Sequence, residues 1–265
     1  MRRWAVKVAY DGTRFHGSQV QPGVRTVHAE VARALEQLGG DPATLRWAGR
    51  TDAGVSAAGN VVALSCDLPP ESLLPGLTFR MEDAWAWAAA PVPDSFEPRH
   101  ARRRRYRYHL RSDLPEPALQ RAMSAFVGMH DFTAFCRLEP GVDPRRTVES
   151  VGVRRRGDFL VVDVVGHSFL WNQVRRMVEA GRRQAAGELH EGAIRAALLR
   201  GEPAEMGTAP PEPLLLVDVE YDGVAFEPAR GDVFERLHRR REALDLARAV
   251  TGDILDAAGA RQRHA

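Results

Sequence analysis

The chain has 265 residues, of which 44% are hydrophobic and 27% charged, enough for a sizeable core in one large domain or two small ones. Its formal net charge of +2 gives only a weak overall field, so a polyanionic partner would need a local basic surface. Cys66 and Cys136 lie far apart without CxxC or Cys-His spacing, which argues against a disulfide framework or zinc site and for two reduced thiols packed as small hydrophobes.

Trp4 to Tyr10 alternates large apolar with small or polar residues and predicts a half-buried strand; Asp11-Gly12-Thr13 then reads as a turn. Met1-Arg2-Arg3-Trp4 leads into that strand with no apolar signal region. No run of about 18 apolar residues offers a membrane span, so a cytoplasmic location without membrane attachment is expected. Thr26 is placed to cap a helix whose Val27, Val31, Ala34, Leu35 and Leu38 share one face, stopped by Gly39-Gly40-Asp41-Pro42. Asn60 to Cys66 predicts a second strand and Ala84 to Ala90 another, while Leu73 to Leu77 matches neither period.

From Arg105 the pattern partly repeats. Tyr106 to Leu110 predicts a strand and Glu116 to Val127 a helix. Val148 to Val153 and Phe159 to Val165 predict a strand pair across the Arg156-Gly157-Asp158 turn. Leu170 to Ala186 follows as a helix and Leu214 to Val219 as a closing strand. The charged stretch from Asp232 to Leu255, with periodic Phe234, Leu237, Leu244, Leu246 and Val250, predicts a C-terminal helix frayed after Gly259. The expected architecture is α+β, with two similar tandem units sharing an interface: domains 1–100 and 101–228, then a helical extension over 229–265.

The sharpest segment for chemistry is Ala48-Gly49-Arg50-Thr51-Asp52-Ala53-Gly54-Val55. Glycines on both sides let the backbone turn tightly and hold the short Asp52 side chain in a fixed pose; a solvated turn with an Asx bond accounts for the same residues equally well. Seven arginines fall between Arg99 and Arg111, namely Arg99, Arg102, Arg103, Arg104, Arg105, Arg107 and Arg111. With Tyr106 and Tyr108 interleaved, they suit a phosphate track beside a stacking platform. A solvated basic loop is the ordinary alternative. Arg145-Arg146, Arg154 to Arg156 and Arg182-Arg183 would extend the track. His130-Asp131 reads as a structural hydrogen bond rather than a catalytic pair.

Gly49-Arg50-Thr51-Asp52-Ala53-Gly54-Val55 resembles the signature of the tRNA pseudouridine synthase A family, and further matches follow in the family's order. They are Tyr10-Asp11-Gly12-Thr13 with Phe15, Gly17, Gln19 and Gln21; Thr26-Val27; Arg105-Tyr106-Arg107-Tyr108; Gly128-Met129-His130-Asp131-Phe132-Thr133; Ser168 to Arg176; and Ala209-Pro210 through Val217. The wording of Phe169 to Arg176 is closer to archaeal members. Several positions depart from the pattern: Ser56 stands where many members carry His, Pro213 and Leu215 replace a Gly and a Tyr, and the stretch from Arg99 to Tyr106 is one residue short.

The resemblance implies two tandem ferredoxin-like or RRM-like α/β sandwich units with mainly antiparallel sheets and a central catalytic cleft. It implies isomerisation of uridine to pseudouridine in the anticodon stem-loop of tRNA, at positions 38 to 40, by a homodimer. Asp52 would be the essential nucleophile, Arg175 its cationic partner, Tyr106 the contact to the target uridine and Leu214 a packing residue nearby. Arg50 would touch the RNA backbone or brace the loop, and Arg102, Arg103, Arg104, Arg105 and Arg107 would meet phosphates. The reaction breaks the N1–C1′ bond and rejoins the base through C5 with no net oxidation or hydrolysis, so no cofactor or metal is required. A carboxylate can divide such a step through a covalent intermediate; whether it adds to base or ribose is open. Extruding the base costs a few kcal/mol, against roughly 1–3 kcal/mol regained by stacking on an aromatic ring. Two rivals remain: a non-catalytic tRNA-binding protein or RNA chaperone, and an aspartate-nucleophile hydrolase, which would want a metal cluster or phosphate loop that the sequence lacks.

Overall fold

The computed structural model describes residues 1–231 and 233–262. The first half runs β1 (Arg2–Tyr10), α1 (Val27–Glu36), β2 (Asp41–Trp47), β3 (Ser56–Cys66), α2 (Pro70–Arg80) and β4 (Ala84–Pro91). The second runs β5 (Arg103–Arg111), α3 (Glu116–Ser124), β6 (Gly128–Asp131), β7 (Arg145–Arg156), β8 (Phe159–Gly166), α4 (Gln173–Ala185), α5 (Ala193–Arg200) and β9 (Leu214–Glu220). A short β10 (Glu227–Pro228) and the long α6 (Glu235–Gln262) follow.

Among the described residues all ten strands join one mixed sheet in the order β10-β4-β1-β3-β9-β5-β8-β7-β6, with β2 paired to β3 off that path. Every pairing is antiparallel except β3 with β9, a parallel contact of two register pairs, Ser56 with Leu215 and Ala57 with Leu216. The coarse expectation of an α+β fold with a mainly antiparallel sheet is therefore met. The central strands β1 and β3 are buried nearly throughout, and α1 and α2 pack Val31, Leu35, Leu73, Leu74 and Leu77 into the same core. At the N-terminus of α1, the Thr26 hydroxyl accepts from the Ala29 N–H, as its cap position requires.

Some boundaries differ from the sequence reading. β3 starts at Ser56 rather than Asn60, α3 stops at Ser124, and α4 begins at Gln173. β2, β6 and α5 were not read at all. β2 holds Pro42, which cannot donate to a ladder, and its register with β3 breaks between Asp41 and Arg46. The unassigned stretch around Leu73 to Leu77 is helical: α2 starts on Pro70 and tolerates Pro75 inside it. α6 continues past Gly259 to Gln262; one helical glycine costs only about 1 kcal/mol, and its neighbours here are alanines. Asp232 lies outside the described residues. Both cysteines are free and buried. Among the described residues no helix is long and apolar enough to cross a membrane.

Candidate active site

The second edge of β3 changes partner halfway along. β2 occupies it as far as Trp47, opposite Val62, and β9 takes over at Ser56. Residues 48–55 bridge that change, so the loop carrying Asp52 stands where the two halves of the sheet meet.

A buried polar cluster fixes this loop. The Thr51 N–H donates to Ser18 Oγ at 2.8 Å, and the Ser18 N–H donates back to the Thr51 carbonyl at 3.0 Å. Asn60 Nδ2 donates to Gly49 O at 3.0 Å and to the Tyr10 hydroxyl at 3.1 Å. Tyr10 in turn lies 2.8 Å from Thr51 Oγ1. Thr51 and Asn60 are both buried, where such groups must be paired. Gly54 turns the chain at φ 85°, and the Val55 N–H closes back on the Asp52 carbonyl at 3.1 Å.

Asp52 thus projects with its two carboxylate oxygens differently engaged. Arg175 Nη1 donates to Oδ2 at 3.0 Å and Trp171 Nε1 to Oδ1 at 2.9 Å. The Asp52 side chain is 31% exposed and that of Arg175 16%, which places the pair at the floor of an open site. Arg175 is itself oriented by Ala209 O at 2.8 Å through Nε and by Asn172 Oδ1 at 3.0 Å through Nη1. Asn172 sits in the left-handed region at φ 63° just ahead of α4.

Tyr106 on β5 is buried, with Phe169 edge-on to its ring at 5.2 Å between centroids. Among the described residues its hydroxyl takes no hydrogen-bond partner. Burial pushes that hydroxyl up to about 12, with the nearby Asp52 charge adding to the effect and Arg104 opposing it. It stays a protonated donor within the electrostatic reach of Asp52.

The structure therefore brings together Asp52, Arg175 and Tyr106. Arg50 is 57% exposed and pairs with Glu139 at 3.7 Å. Leu214 is buried and pairs across β5 with Tyr108, whereas Leu216 is the register partner of Tyr106. The approach to β9 nonetheless closes on the Asp52 loop, since a Cβ on Gly54 would lie 3.1 Å from Pro211.

The arginine run divides between the two faces of β5. Side chains alternate along a strand, so Arg104, Tyr106 and Tyr108 face inward while Arg103, Arg105 and Arg107 are on the opposite side of the sheet. There Arg103 pairs with Glu149 and Glu220, Arg105 with Glu220 and Arg107 with Asp163. Arg102 pairs with Asp222 at 3.2 Å. Arg104 is buried and donates to Ala48 O at 2.8 Å, Arg99 O at 3.0 Å and His167 O at 2.5 Å, clamping the start of the Asp52 loop. His130 and Asp131 do not pair with each other: His130 Nε2 is 3.0 Å from Val127 O, and Asp131 Oδ1 accepts from the Thr133 N–H at 2.8 Å.

Sequence reasoning gave no role to Trp171, Asn172, Ser18 or Asn60. A Trp ahead of a helix or an Asn in a strand carries no chemical signal alone; only the fold shows that they converge on Asp52 and its loop.

Residues 122–222 match the model of the family described as tRNA pseudouridine synthase, which defines the class as an isomerase acting on RNA. The tRNA pseudouridine synthase A of Thermococcus kodakarensis is 42% identical over 95% of this chain and 98% of its own. That of Methanocella arvoryzae is 42% identical over 88% of this chain and 91% of its own. The chain belongs to the tRNA pseudouridine synthase A family. A solved Cbf5-Nop10-Gar1 complex overlays 66% of this chain and 43% of its own at 17% identity, with a TM-score of 0.38.

Proposed function

We propose that this chain isomerises uridine to pseudouridine in the anticodon stem-loop of tRNA, at positions 38 to 40, with Asp52 as the nucleophile toward an extruded nucleoside. The observation that carries this reading is the Asp52 carboxylate held by Arg175 at 3.0 Å beside the unbonded Tyr106 hydroxyl. Arg175 keeps Oδ2 and its charge, and the Trp171 N–H aims Oδ1, the attacking atom, through one lone pair while the other faces the nucleoside. A phenol that stays protonated can donate to a carbonyl of the base, and a nucleoside drawn into the site replaces water with fixed dipoles. The ring of Trp171, 41% exposed, supplies the open aromatic surface beside Asp52 that the covered Tyr106 does not.

Two related βαββαβ units make up the fold on this reading. The strand orders β4-β1-β3-β2 and β9-β5-β8-β7 repeat the same arrangement, which supports it. Residues 1–100 then supply Asp52, residues 101–228 supply Tyr106 and Arg175, and residues 229–265 form a helical extension. The protein works in the cytoplasm as a homodimer.

The test is pseudouridine mapping on tRNA treated with wild type and with Asp52→Ala. Product at positions 38 to 40 from wild type and none from the variant is expected. A variant working at the wild-type rate rejects the nucleophile. No product from either protein, with tRNA still bound, returns the chain to a binding role.

A further inference from the structure

A phosphodiester backbone selects guanidiniums that are not already neutralised, because each contact releases a condensed counterion. The arginines of β5 fail that criterion, since carboxylates hold Arg103, Arg105 and Arg107, and Arg104 is buried. Three other arginines meet it on the side of the sheet where Asp52 lies. Among the described residues none of the three makes an ion pair with a carboxylate; Asp143, which Arg146 senses electrostatically, is held by Arg145 at 2.9 Å.

Arg137 is exposed. Its guanidinium lies 4.1 Å from the centre of the Trp171 ring, and its backbone N–H donates to Trp171 O at 2.8 Å. Trp171 in turn holds Asp52, so Arg137 is one side chain removed from the site. Arg146, on β7 opposite His130, uses Nη1 on the carbonyls of Asp143 and Arg145, at 2.7 Å each. Its Nε is buried with no acceptor. Arg176 follows Arg175 on α4; its side chain makes no hydrogen bond among the described residues, and it likewise leaves a buried Nε without an acceptor.

These arginines are neighbours. Arg176 lines a pocket of about 380 Å³ with Thr133, Cys136, Pro203, Ala204 and Glu205. Arg176 and Arg146 both act electrostatically on the Cys136 thiol, adjacent to Arg137. The nearby carboxylates are engaged elsewhere: Glu205 Oε1 accepts from the Gly207 N–H at 3.2 Å and Asp131 Oδ1 from the Thr133 N–H at 2.8 Å.

We propose that Arg137, Arg146 and Arg176 form the phosphate track for the RNA strand that enters the Asp52 site. The track rests on the tRNA-modifying role proposed above. The strand's phosphates pass over the 133–146 segment toward Trp171, and the outer face of β5 keeps to its ion pairs.

Equilibrium binding of unmodified tRNA as a function of salt tests this. Replacing all three, Arg137→Gln, Arg146→Gln and Arg176→Gln, should lower the slope of log affinity against log salt by about 2–3, at roughly 0.7–0.9 per lost phosphate contact. The comparison variant Arg103→Gln with Arg105→Gln should lower it by less than about 1. Arg137→Gln alone, at an exposed position that folding tolerates, should lower it by about 0.7–0.9. An unmoved slope in both Arg137→Gln and the triple variant overturns the track, as does an equal loss from the β5 pair. A wild-type protein that binds tRNA with the arginine-dependent slope yet forms no pseudouridine supports the track while removing the catalytic reading. Pseudouridine formation with an arginine-independent slope overturns the track alone.

Discussion

At Asp52 the two carboxylate oxygens answer to different donors, and each donor has a distinct expected effect when removed. Arg175→Lys keeps the charge but loses the planar fork that reaches Asp52, Asn172 and Ala209 together. Turnover should fall by more than tenfold with a smaller change in KM, because the carboxylate is no longer aimed. Trp171→Phe keeps a ring and loses the N–H on Oδ1. One hydrogen bond to a charged group is worth about 1.5–3 kcal/mol, and at a partly open site the lower end applies, so turnover should fall about tenfold. Tyr106→Phe should retain tRNA binding and lose roughly 100-fold or more in turnover, the usual scale for a missing proton donor; single-turnover kinetics on tRNA check all three. Unchanged turnover in Tyr106→Phe would restrict that residue to packing against Phe169. Asp52, Arg175 and Tyr106 were legible because their motifs resemble a family. Trp171 was not, because nothing in Phe169-Leu170-Trp171-Asn172 says which way an indole points.

The Asp52 loop is a device of three elements: the turn after β1, the β2–β3 connection and the segment entering β9. A Cβ on Gly12 would lie 2.0 Å from the Val55 carbonyl oxygen, a clash with backbone that cannot rotate away. Gly12→Ala should therefore displace the loop three residues after Asp52 and lower turnover more than tRNA affinity. Asn60→Ala should cost about 1–3 kcal/mol in urea unfolding, because it leaves the half-buried Gly49 carbonyl without its donor and the Tyr10 hydroxyl with Thr51 alone. His28 on α1 accepts the Trp47 indole N–H at 3.2 Å, and burial, helped by Arg46, holds it below the usual histidine range. Folding then favours the neutral ring. That contribution is fully present above about pH 6.5 and is lost as pH falls through the lower folded value. Thermal melts at pH 8 and pH 5.5 should show a larger drop for wild type than for His28→Gln. Element by element, strong periodicity was readable and its absence was not. β1, α1 and the β7–β8 pair carry clean alternation or an apolar stripe. β6, with four residues, and the proline-broken β2 carry neither. The arginine run follows period two: adjacent arginines in a strand do not share a face.

Across the whole molecule, the repeat beginning near Arg105 was visible in the sequence, but the joint between the halves was not. Two parallel register pairs between β3 and β9 leave no periodic trace. A second link crosses the same joint. Lys7 on β1 reaches over β3 to Asp218 on β9, Nζ to Oδ1 at 2.5 Å, under the rings of Trp87 and Phe226 at 5.5 and 4.8 Å. The strand between them carries Gly59, where a Cβ would lie 2.9 Å from Asp218 Oδ1, so the absence of a side chain there opens the path. Lys7 is 10% exposed and Asp218 31%, which puts the pair between a surface bridge and a sealed one. Removing one partner of a sealed pair costs about 3–5 kcal/mol, and partial solvation of Asp218 reduces this to about 2 kcal/mol for Lys7→Met. The double variant Lys7→Met with Asp218→Leu should recover most of that loss, because no charge is then left alone against two aromatic rings. Since Asp52 comes from one half and Arg175 from the other, Lys7→Met should also lower turnover, and the double variant should restore it in step with stability. Calorimetric unfolding and single-turnover rates on the four members of this cycle decide the matter. A single variant losing less than about 0.5 kcal/mol would place the pair among ordinary surface bridges and leave the joint to β3, β9 and the apolar core alone.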